Sequence, residues 1–259
     1  MRWTERVHRP MYSTANSMYL RIVLFAGILL CLAPVAAPAQ APPPAQAPPA
    51  QAPSAQASRF VVVLDAAHGG DDAGATLVTP DAGAEAEKAY TLELSVRLRS
   101  LLAARGISVV TTRESDVALD PEQRAQVANH ANAQACLSLH AAMTGSGVHL
   151  FISSLAPVQR TAFLPWKTAQ AAWVDHSIAL AGTLNSALTH SGINVTIGRT
   201  ALPAIDSMTC PAVAVEVASP QPAQSSGHTA NIGDSGYQAQ IADAIAAGLL
   251  EWRAQGQNP

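Results

Sequence analysis

The sequence predicts an α/β domain built on a central, twisted, mostly parallel sheet. From Arg59 onward, short β-branched runs alternate with longer stretches of helical periodicity, which is typical of βα units. The first run, residues 60–65, is apolar from Phe60 to Leu64 and ends on Asp65, as a strand does when helices cover both faces of its sheet. The sequence shows no convincing internal repeat, so we expect a single domain.

The predicted elements follow one another in a regular order. After the first strand, Leu92 and later apolar residues at helical spacing predict a helix over 87–104, and Gly106 supplies its stop. Asp120 followed by a proline predicts the start of a second helix, which continues to about Asn132. We further expect strands at 107–111, 136–140, 147–153 and 212–217, and helices at 175–191 and 237–253.

The N-terminal residues have the features of an export signal. Four arginines precede an apolar run over 22–33, and Ala37-Pro38-Ala39 then gives the small-x-small pattern of a cleavage site. The alternative is a membrane anchor, but this run is shorter than the roughly 20 residues that span a bilayer, and Pro34 interrupts it. We therefore predict a signal peptide at 1–39 and an exported protein of the periplasm or cell envelope. Membrane attachment would occur only through an uncleaved leader.

A linker is predicted between this leader and the domain. Residues 40–58 are rich in proline, alanine and glutamine, with no apolar face to bury, and such segments form extended, semi-rigid spacers. A plain disordered tail is the alternative interpretation.

Charge and cysteine content exclude two classes of protein. The net charge is −3, and residues 1–21 contribute +3, which leaves −6 on residues 59–259. A domain this acidic lacks the positive surface of a nucleic-acid binder. The three cysteines, Cys31, Cys136 and Cys210, are too few for a disulfide framework and include no CxxC pair for a structural zinc site. We expect Cys136 and Cys210 to be buried thiols, separated by the stagger of their strands.

Four residues are candidates for chemistry. His68, His140 and Glu216 each lie at the end of a predicted strand, and ligands bind at the carboxyl ends of parallel strands. Glu216 ends an apolar run, so it requires a partner or a function unless it simply reaches solvent. Glu87 lies in the first turn of a helix, where a carboxylate is also favoured by the helix dipole alone. The remaining histidines of the domain have no patterned context and are assigned no role: His130, His149, His176, His190 and His228.

Taken in order, these residues resemble a known family. The motifs Asp65-x-x-His68-Gly69-Gly70, Glu87-Lys88, Ser138-Leu139-His140 and Pro211-Ala-Val-x-Val-Glu216 are similar to those of the zinc-dependent N-acetylmuramoyl-L-alanine amidases of bacterial cell-wall turnover. The resemblance covers nearly all of residues 59–254, which would form the zinc amidase catalytic domain. It implies a sheet of about six strands with helices on both faces.

The resemblance also implies a reaction and a site. One Zn²⁺ per chain would be held by His68, Glu87 and His140, and Glu216 would be the catalytic general base. The Glu-Lys pair of the family favours Glu87 over its neighbour Glu85. The substrate would be peptidoglycan, in which a zinc-activated water would hydrolyse the amide bond between N-acetylmuramic acid and L-alanine. The alternatives are another zinc amide hydrolase, such as a peptidase, and a catalytically silent peptidoglycan-binding module of the same fold.

The sequence departs from the family pattern around the site. Ala66-Ala67 replaces Pro-Gly before the first histidine, Ala141-Ala142 follows the second where asparagine is expected, and Val217-Ala218-Ser219-Pro220 follows the acid. These changes concern the substrate pocket and not the predicted ligands.

Residues 154–174 form an insertion. In some relatives a segment near this place carries a helix that blocks the zinc until a protein activator releases it. Here we favour a surface loop packed by its own aromatic residues, Phe163, Trp166 and Trp173. We expect the protein to act as a monomer, with a protein activator as an open alternative.

Overall fold

The computed structural model describes residues 59–79, 83–160, 163–220 and 231–256. The predicted signal peptide (1–39) and linker (40–58) lie outside the described residues. Within the described part of the chain, no helix combines the length and the apolar character needed to cross a membrane.

Strands and helices alternate along most of the described chain, as predicted. The strands are β1 (Val61–Ala66), β2 (Thr76–Thr79), β3 (Gly83–Ala86), β4 (Ser108–Thr111), β5 (Ala135–Ala141), β6 (Val148–Ser153), β7 (Val195–Thr200) and β8 (Ala212–Val217). The helices are α1 (Glu87–Ala104), α2 (Pro121–His130), α3 (Val174–His190), α4 (Pro203–Asp206) and α5 (Ser235–Ala254), and a 3-10 helix spans Trp166–Ala172.

Six of these strands form the central sheet, in the order β4-β1-β5-β8-β6-β7. Every neighbouring pair is parallel except β6 and β8, which are antiparallel. The last strand in the sequence, β8, therefore lies between β5 and β6. The predicted α/β class and the mostly parallel six-stranded sheet are confirmed. Strand β7 at the sheet edge, the small antiparallel hairpin β2-β3 and the short helix α4 were not predicted.

Helices cover both faces of the sheet, as the apolar character of β1 predicts. Successive side chains of a strand point to opposite faces, so Val62 and Leu64 enter the larger core, which α1, α3 and α5 cover. Val63 enters a smaller core, which α2 and α4 cover. The uninterrupted apolar run is thus shared between two cores, and each core is separately shielded from water.

Two cysteines form a disulfide, and the expectation of buried thiols is wrong. Cys136 on β5 is bonded to Cys210, with 6.3 Å between their Cα atoms. Because β5 and β8 are parallel neighbours, Cys136 is aligned with Ala212. Cys210 therefore lies only two residues before the aligned position, which is within the reach of a disulfide. Strand stagger brings the two cysteines together instead of separating them.

Candidate metal centre

The structure brings the three predicted ligands together at the carboxyl ends of β1 and β5. His68, Glu87 and His140 each offer a ligand atom, and these atoms all lie within 4.8 Å of one another. Nε2 of His68 is 3.1 Å from Oε2 of Glu87, and Nδ1 of His140 is 3.1 Å from Oε1 of the same carboxylate. Glu85, the competing carboxylate, lies on β3 and is not a member of this cluster among the described residues.

The backbone turn that carries His68 is held by two arginines. His68 has a positive φ of 61°, which is uncommon for a residue other than glycine and needs support from its surroundings. Arg124 donates to the carbonyls of Ala66 and His68 at 2.7 Å each. Arg113 donates to the carbonyls of Ala66 and Ala67 at 2.8 and 3.0 Å. Side-chain hydrogen bonds thus fix the turn that runs from Ala66 to His68.

Arg124 is itself fixed by a buried ion pair. Its Nη1 lies 2.7 Å from Oδ1 of Asp65, whose side chain is 2% exposed. Thr112 and Ser138 also donate to this carboxylate, at 2.7 and 2.8 Å. A buried charge is tolerated when it is paired and hydrogen-bonded in this way. The aspartate of the first motif therefore organises the turn and does not join the cluster.

Each imidazole is also oriented through its second nitrogen. Nδ1 of His68 lies 2.8 Å from Oδ2 of Asp72, and Nε2 of His140 lies 3.5 Å from Oγ of Ser138. The hydrogen bond to His68 lowers the pKa of Asp72 below its ordinary value. Partners of this kind fix the tautomer and the ring orientation of metal-binding histidines. Asp72 was not singled out from the sequence, although its place four residues after His68 in a turn is a usable signal.

Glu87 lies at the start of α1 with its carboxylate buried. The amides of Ala75 and Ala141 donate to it at 2.9 and 3.0 Å. Burial raises the pKa of Glu87, but the hydrogen bonds from His140 and these two amides outweigh burial and lower the pKa to about 2. The carboxylate is therefore ionised at neutral pH, as a metal ligand must be.

Gly74 allows the close approach of the turn to this carboxylate. Its φ is +67°, and a Cβ at this position would lie 2.6 Å from Cδ2 of His68 and 2.7 Å from Oε2 of Glu87. Any side chain here would displace two members of the cluster, so the glycine is needed for space as well as for backbone conformation.

Glu216 lies beside the cluster, on the neighbouring strand. The sheet register aligns it with His140 on β5 and with His149 on β6, and aligned residues of neighbouring strands face the same side of a sheet. Oε1 of Glu216 is 3.0 Å from Nδ1 of His149, and 31% of its side chain is exposed. The carboxylate is thus paired with His149 and also partly exposed to solvent. His149, to which the sequence assigned no role, is part of this site.

A mostly apolar cavity of about 270 Å³ adjoins the cluster on the side of α2 and α4. His68, His140 and Ala67 lie on its wall, and the other apolar lining residues are Leu119, Pro121, Leu202, Pro203, Ala204, Ile205 and Ala214. A small apolar group of a bound molecule could therefore be buried next to the cluster.

The insertion at 154–174 does not contribute to this cavity. In its described part, a 3-10 helix follows Pro165, and none of its residues lines the cavity. Trp173 is buried and stacks under the guanidinium of Arg160 at 4.0 Å, whereas Phe163 and Trp166 are exposed. The expectation of a loop packed by its own aromatic residues is therefore only partly correct, because the second half of the segment is helical and only Trp173 packs inward.

The donor set fits a catalytic metal ion of the zinc type. Two imidazole nitrogens and one carboxylate oxygen are ligands that zinc accepts, and three protein ligands leave a further position for water or substrate. The ionised state of Glu87 and the oriented imidazoles are consistent with such an ion.

Comparisons with known proteins identify the family. The family model described as N-acetylmuramoyl-L-alanine amidase matches residues 62–251. The chain therefore belongs to this family, as its motifs indicated.

Two curated relatives match over shorter stretches. The germination-specific N-acetylmuramoyl-L-alanine amidase of Bacillus subtilis (strain 168) is 36% identical over 94 residues, covering 31% of this chain and 38% of the relative. The endolysin of Bacillus phage SPP1 is 38% identical over 88 residues, covering 34% of this chain and 31% of the relative. The matched part thus spans about a third of the length of each of these relatives.

Solved structures of similar fold match over most of the described domain. The catalytic domain of an N-acetylmuramoyl-L-alanine amidase from Bacillus (Paenibacillus) polymyxa var. colistinus has a TM-score of 0.56 at 26% identity, covering 75% of this chain and 98% of that one. An amidase from Clostridioides difficile, solved in complex with a lipoprotein, has a TM-score of 0.56 at 21% identity, covering 76% and 100%. At that lower identity the likeness shows the fold alone.

Proposed function

We propose that the protein hydrolyses the amide bond between N-acetylmuramic acid and the L-alanine of the peptidoglycan stem peptide. The observation that carries the proposal is the convergence of His68, Glu87 and His140 within 4.8 Å in a chain of the amidase family. A Zn²⁺ held by these three side chains would polarise the amide carbonyl and make a water nucleophilic at neutral pH.

The protein's own residues supply the proton transfer and the substrate contacts in this proposal. Glu216, on the same sheet face as His140, accepts the proton of the attacking water and delivers it to the departing amine of L-alanine. The apolar cavity beside His68 and His140 receives a small apolar part of the substrate next to the bond that is cut.

Digestion of purified sacculi followed by muropeptide analysis tests the reaction. Release of intact stem peptides from the glycan is the expected result. Cleavage within the stem peptide would instead show a peptidase. An absence of product from zinc-loaded protein would show a silent binding module.

Two variants test the role of the general base. Glu216→Gln is expected to lower kcat by about 10²–10⁴-fold, the usual contribution of a positioned general base, while the zinc content stays at about one per chain. The matched control is Glu251→Gln, since Glu251 is exposed on α5 and its loss should leave kcat unchanged. Near-normal turnover by Glu216→Gln would place the base elsewhere.

Metal analysis tests the ligand set. Protein purified without chelator should contain about one zinc per chain, and His140→Ala should lower that content severely, because it removes one of three protein ligands. Finding no zinc in the unaltered protein would contradict the proposed site.

We also propose that the protein is exported to the cell envelope, where its substrate lies. The Cys136–Cys210 disulfide supports this location because disulfides persist in oxidising compartments such as the periplasm. Cell fractionation with N-terminal sequencing should find envelope protein that begins at Gln40. A cytoplasmic protein with its N-terminus intact would refute both the location and the cleavage. The monomeric state and the protein activator stay predictions, which light scattering and activity assays with envelope extracts would test.

A further inference from the structure

A row of three side chains crosses the sheet at the edge of the site. His140 on β5 is aligned with Glu216 on β8, and Glu216 is aligned with His149 on β6. All three therefore face the same side of the sheet. The carboxylate lies between a predicted metal ligand and a second histidine, which is not a member of the metal cluster.

The hydrogen bond between the last two residues has a defined direction. Nδ1 of His149 and Oε1 of Glu216 are 3.0 Å apart. An ionised carboxylate can only accept hydrogen bonds, so the proton of this bond lies on the imidazole nitrogen. Among the described residues Oε2 of Glu216 has no hydrogen-bond partner, so this second oxygen is available to a water molecule or a substrate group.

The ring of His149 is held by its neighbours, which makes it a fixed donor. A Cβ added to Gly145 would overlap the ring, so the backbone of the loop after β5 lies directly against it. The ring of Phe151 meets it edge-on, with the centroids 6.3 Å apart and an interplanar angle of 82°. Only 16% of the His149 side chain is exposed. These contacts fix the position of the Nδ1 donor independently of its hydrogen bond to Glu216.

We propose that His149 is a positioning residue for the general base. It holds one oxygen of Glu216 and so restricts the three side-chain torsions of the glutamate to a conformation in which the other oxygen can exchange protons with the reacting water. Misplacement of a reacting group by about 1 Å can cost about 10²-fold in rate. This inference rests on the proposed function, in which Glu216 is the base.

Substitutions at His149 separate positioning from packing. His149→Phe keeps an aromatic ring between Gly145 and Phe151 but removes the donor. His149→Asn restores an N–H at the same number of bonds from the backbone as Nδ1. We expect His149→Phe to lower kcat on a soluble N-acetylmuramoyl-peptide by about 10- to 100-fold, with KM, zinc content and Tm close to the wild-type values. His149→Asn should recover most of the loss. His190→Phe, at an exposed histidine on α3, is the matched control and should change nothing.

A double variant tests whether the effect acts through Glu216. Once the carboxylate is gone, its orientation no longer matters, so Glu216→Gln/His149→Phe should be no slower than Glu216→Gln alone. Three results would each overturn the proposal. They are an unchanged kcat in His149→Phe, an equal loss of kcat in His149→Phe and His149→Asn, and a loss in the double variant equal to the product of the two single losses.

An activity-independent measurement keeps this inference separate from the proposed function. The imidazole ¹⁵N spectrum should show a protonated, hydrogen-bonded Nδ1 for His149, and the hydrogen-bonded signal should be lost in Glu216→Ala, which removes the acceptor oxygen. If the wild-type protein released no stem peptide, the proposed function would fail. The spectrum would then still decide whether His149 donates to Glu216, and an unprotonated Nδ1 in the wild-type protein would refute the pairing itself.

Discussion

The disulfide between Cys136 and Cys210 allows a quantitative prediction about stability. The perturbation is Cys136→Ala/Cys210→Ala in the processed chain from residue 40, which contains no third cysteine. The two cysteines are 74 residues apart in the sequence. For a loop of that length, the chain-entropy relation gives a stabilisation of about 4 kcal/mol at 25 °C. For a domain of this size each kcal/mol shifts Tm by about 2–4 °C, so the loss in Tm should be about 8–16 °C.

Thermal unfolding followed by circular dichroism measures this loss. The single variants Cys136→Ala and Cys210→Ala should lose as much Tm as the double variant, because each removes the same cross-link. In urea the double variant should also show a larger m-value, since its unfolded chain exposes more surface. A double variant with a Tm within about 2 °C of the parent protein would refute the cross-link or its entropic effect.

Removing the disulfide by Cys136→Ala/Cys210→Ala should leave the metal cluster unchanged. Cys136 lies four residues before His140 on β5, which is about 13 Å along the strand. Zinc content and turnover measured well below Tm should therefore match those of the parent protein. A loss of zinc at low temperature would show that the disulfide also shapes the metal centre.

Three further predictions concern buried and bonded side chains. Arg124→Met leaves the charge of Asp65 unpaired inside the protein and should cost about 3–5 kcal/mol in urea unfolding; an unchanged midpoint would contradict the ion pair's role. Asp72→Ala should weaken zinc binding about 10–100-fold in chelator competition, whereas Asp72→Asn, which keeps an acceptor for the imidazole, should retain more affinity. Burial raises the pKa of Tyr237 from 10.0 to about 12 and also raises the pKa of Tyr90. Because the raised pKa favours the neutral phenol in the folded state, it contributes to the free energy of unfolding. This contribution is complete below pH 10 and is lost as the pH rises towards 12. The processed chain from residue 40 contains only these two tyrosines, so its absorbance spectrum should show no tyrosinate at pH 10.5. Tyrosinate absorbance at that pH would show that the phenols are exposed and would contradict the prediction.

The fold class could be predicted because its signals are local in the sequence. The apolar run of β1 indicates that both faces of the sheet are covered, and Asp120 before a proline predicts the start of α2. In the structure the side chain of Asp120 accepts a hydrogen bond from the amide of Gln123 at 2.8 Å. Strand β7 escaped prediction because it lies at the sheet edge, where most of its side chains are exposed and the apolar pattern is weak.

The convergence of His68 and His140 could be predicted for a related reason. Residues at the carboxyl ends of parallel strands meet at one edge of the sheet, so His68 and His140 were expected to converge before their separation was known. Glu87 had an alternative explanation among the predicted ligands, since a helix start favours a carboxylate without any metal. Its two amide donors and its two histidine neighbours are visible only in the structure.

The sequence by itself determined the elements, the α/β class and the motif residues, because hydrophobic periodicity and strand ends are properties of short segments. The tertiary structure decided which strands are neighbours. Chain order does not reveal that β8, the last strand, lies between β5 and β6. That placement puts Cys210 next to Cys136 and puts Glu216 between His140 and His149. Both the disulfide and the partner of the proposed base result from this one choice of strand order, which depends on the burial of complete sheet faces and not on any local pattern.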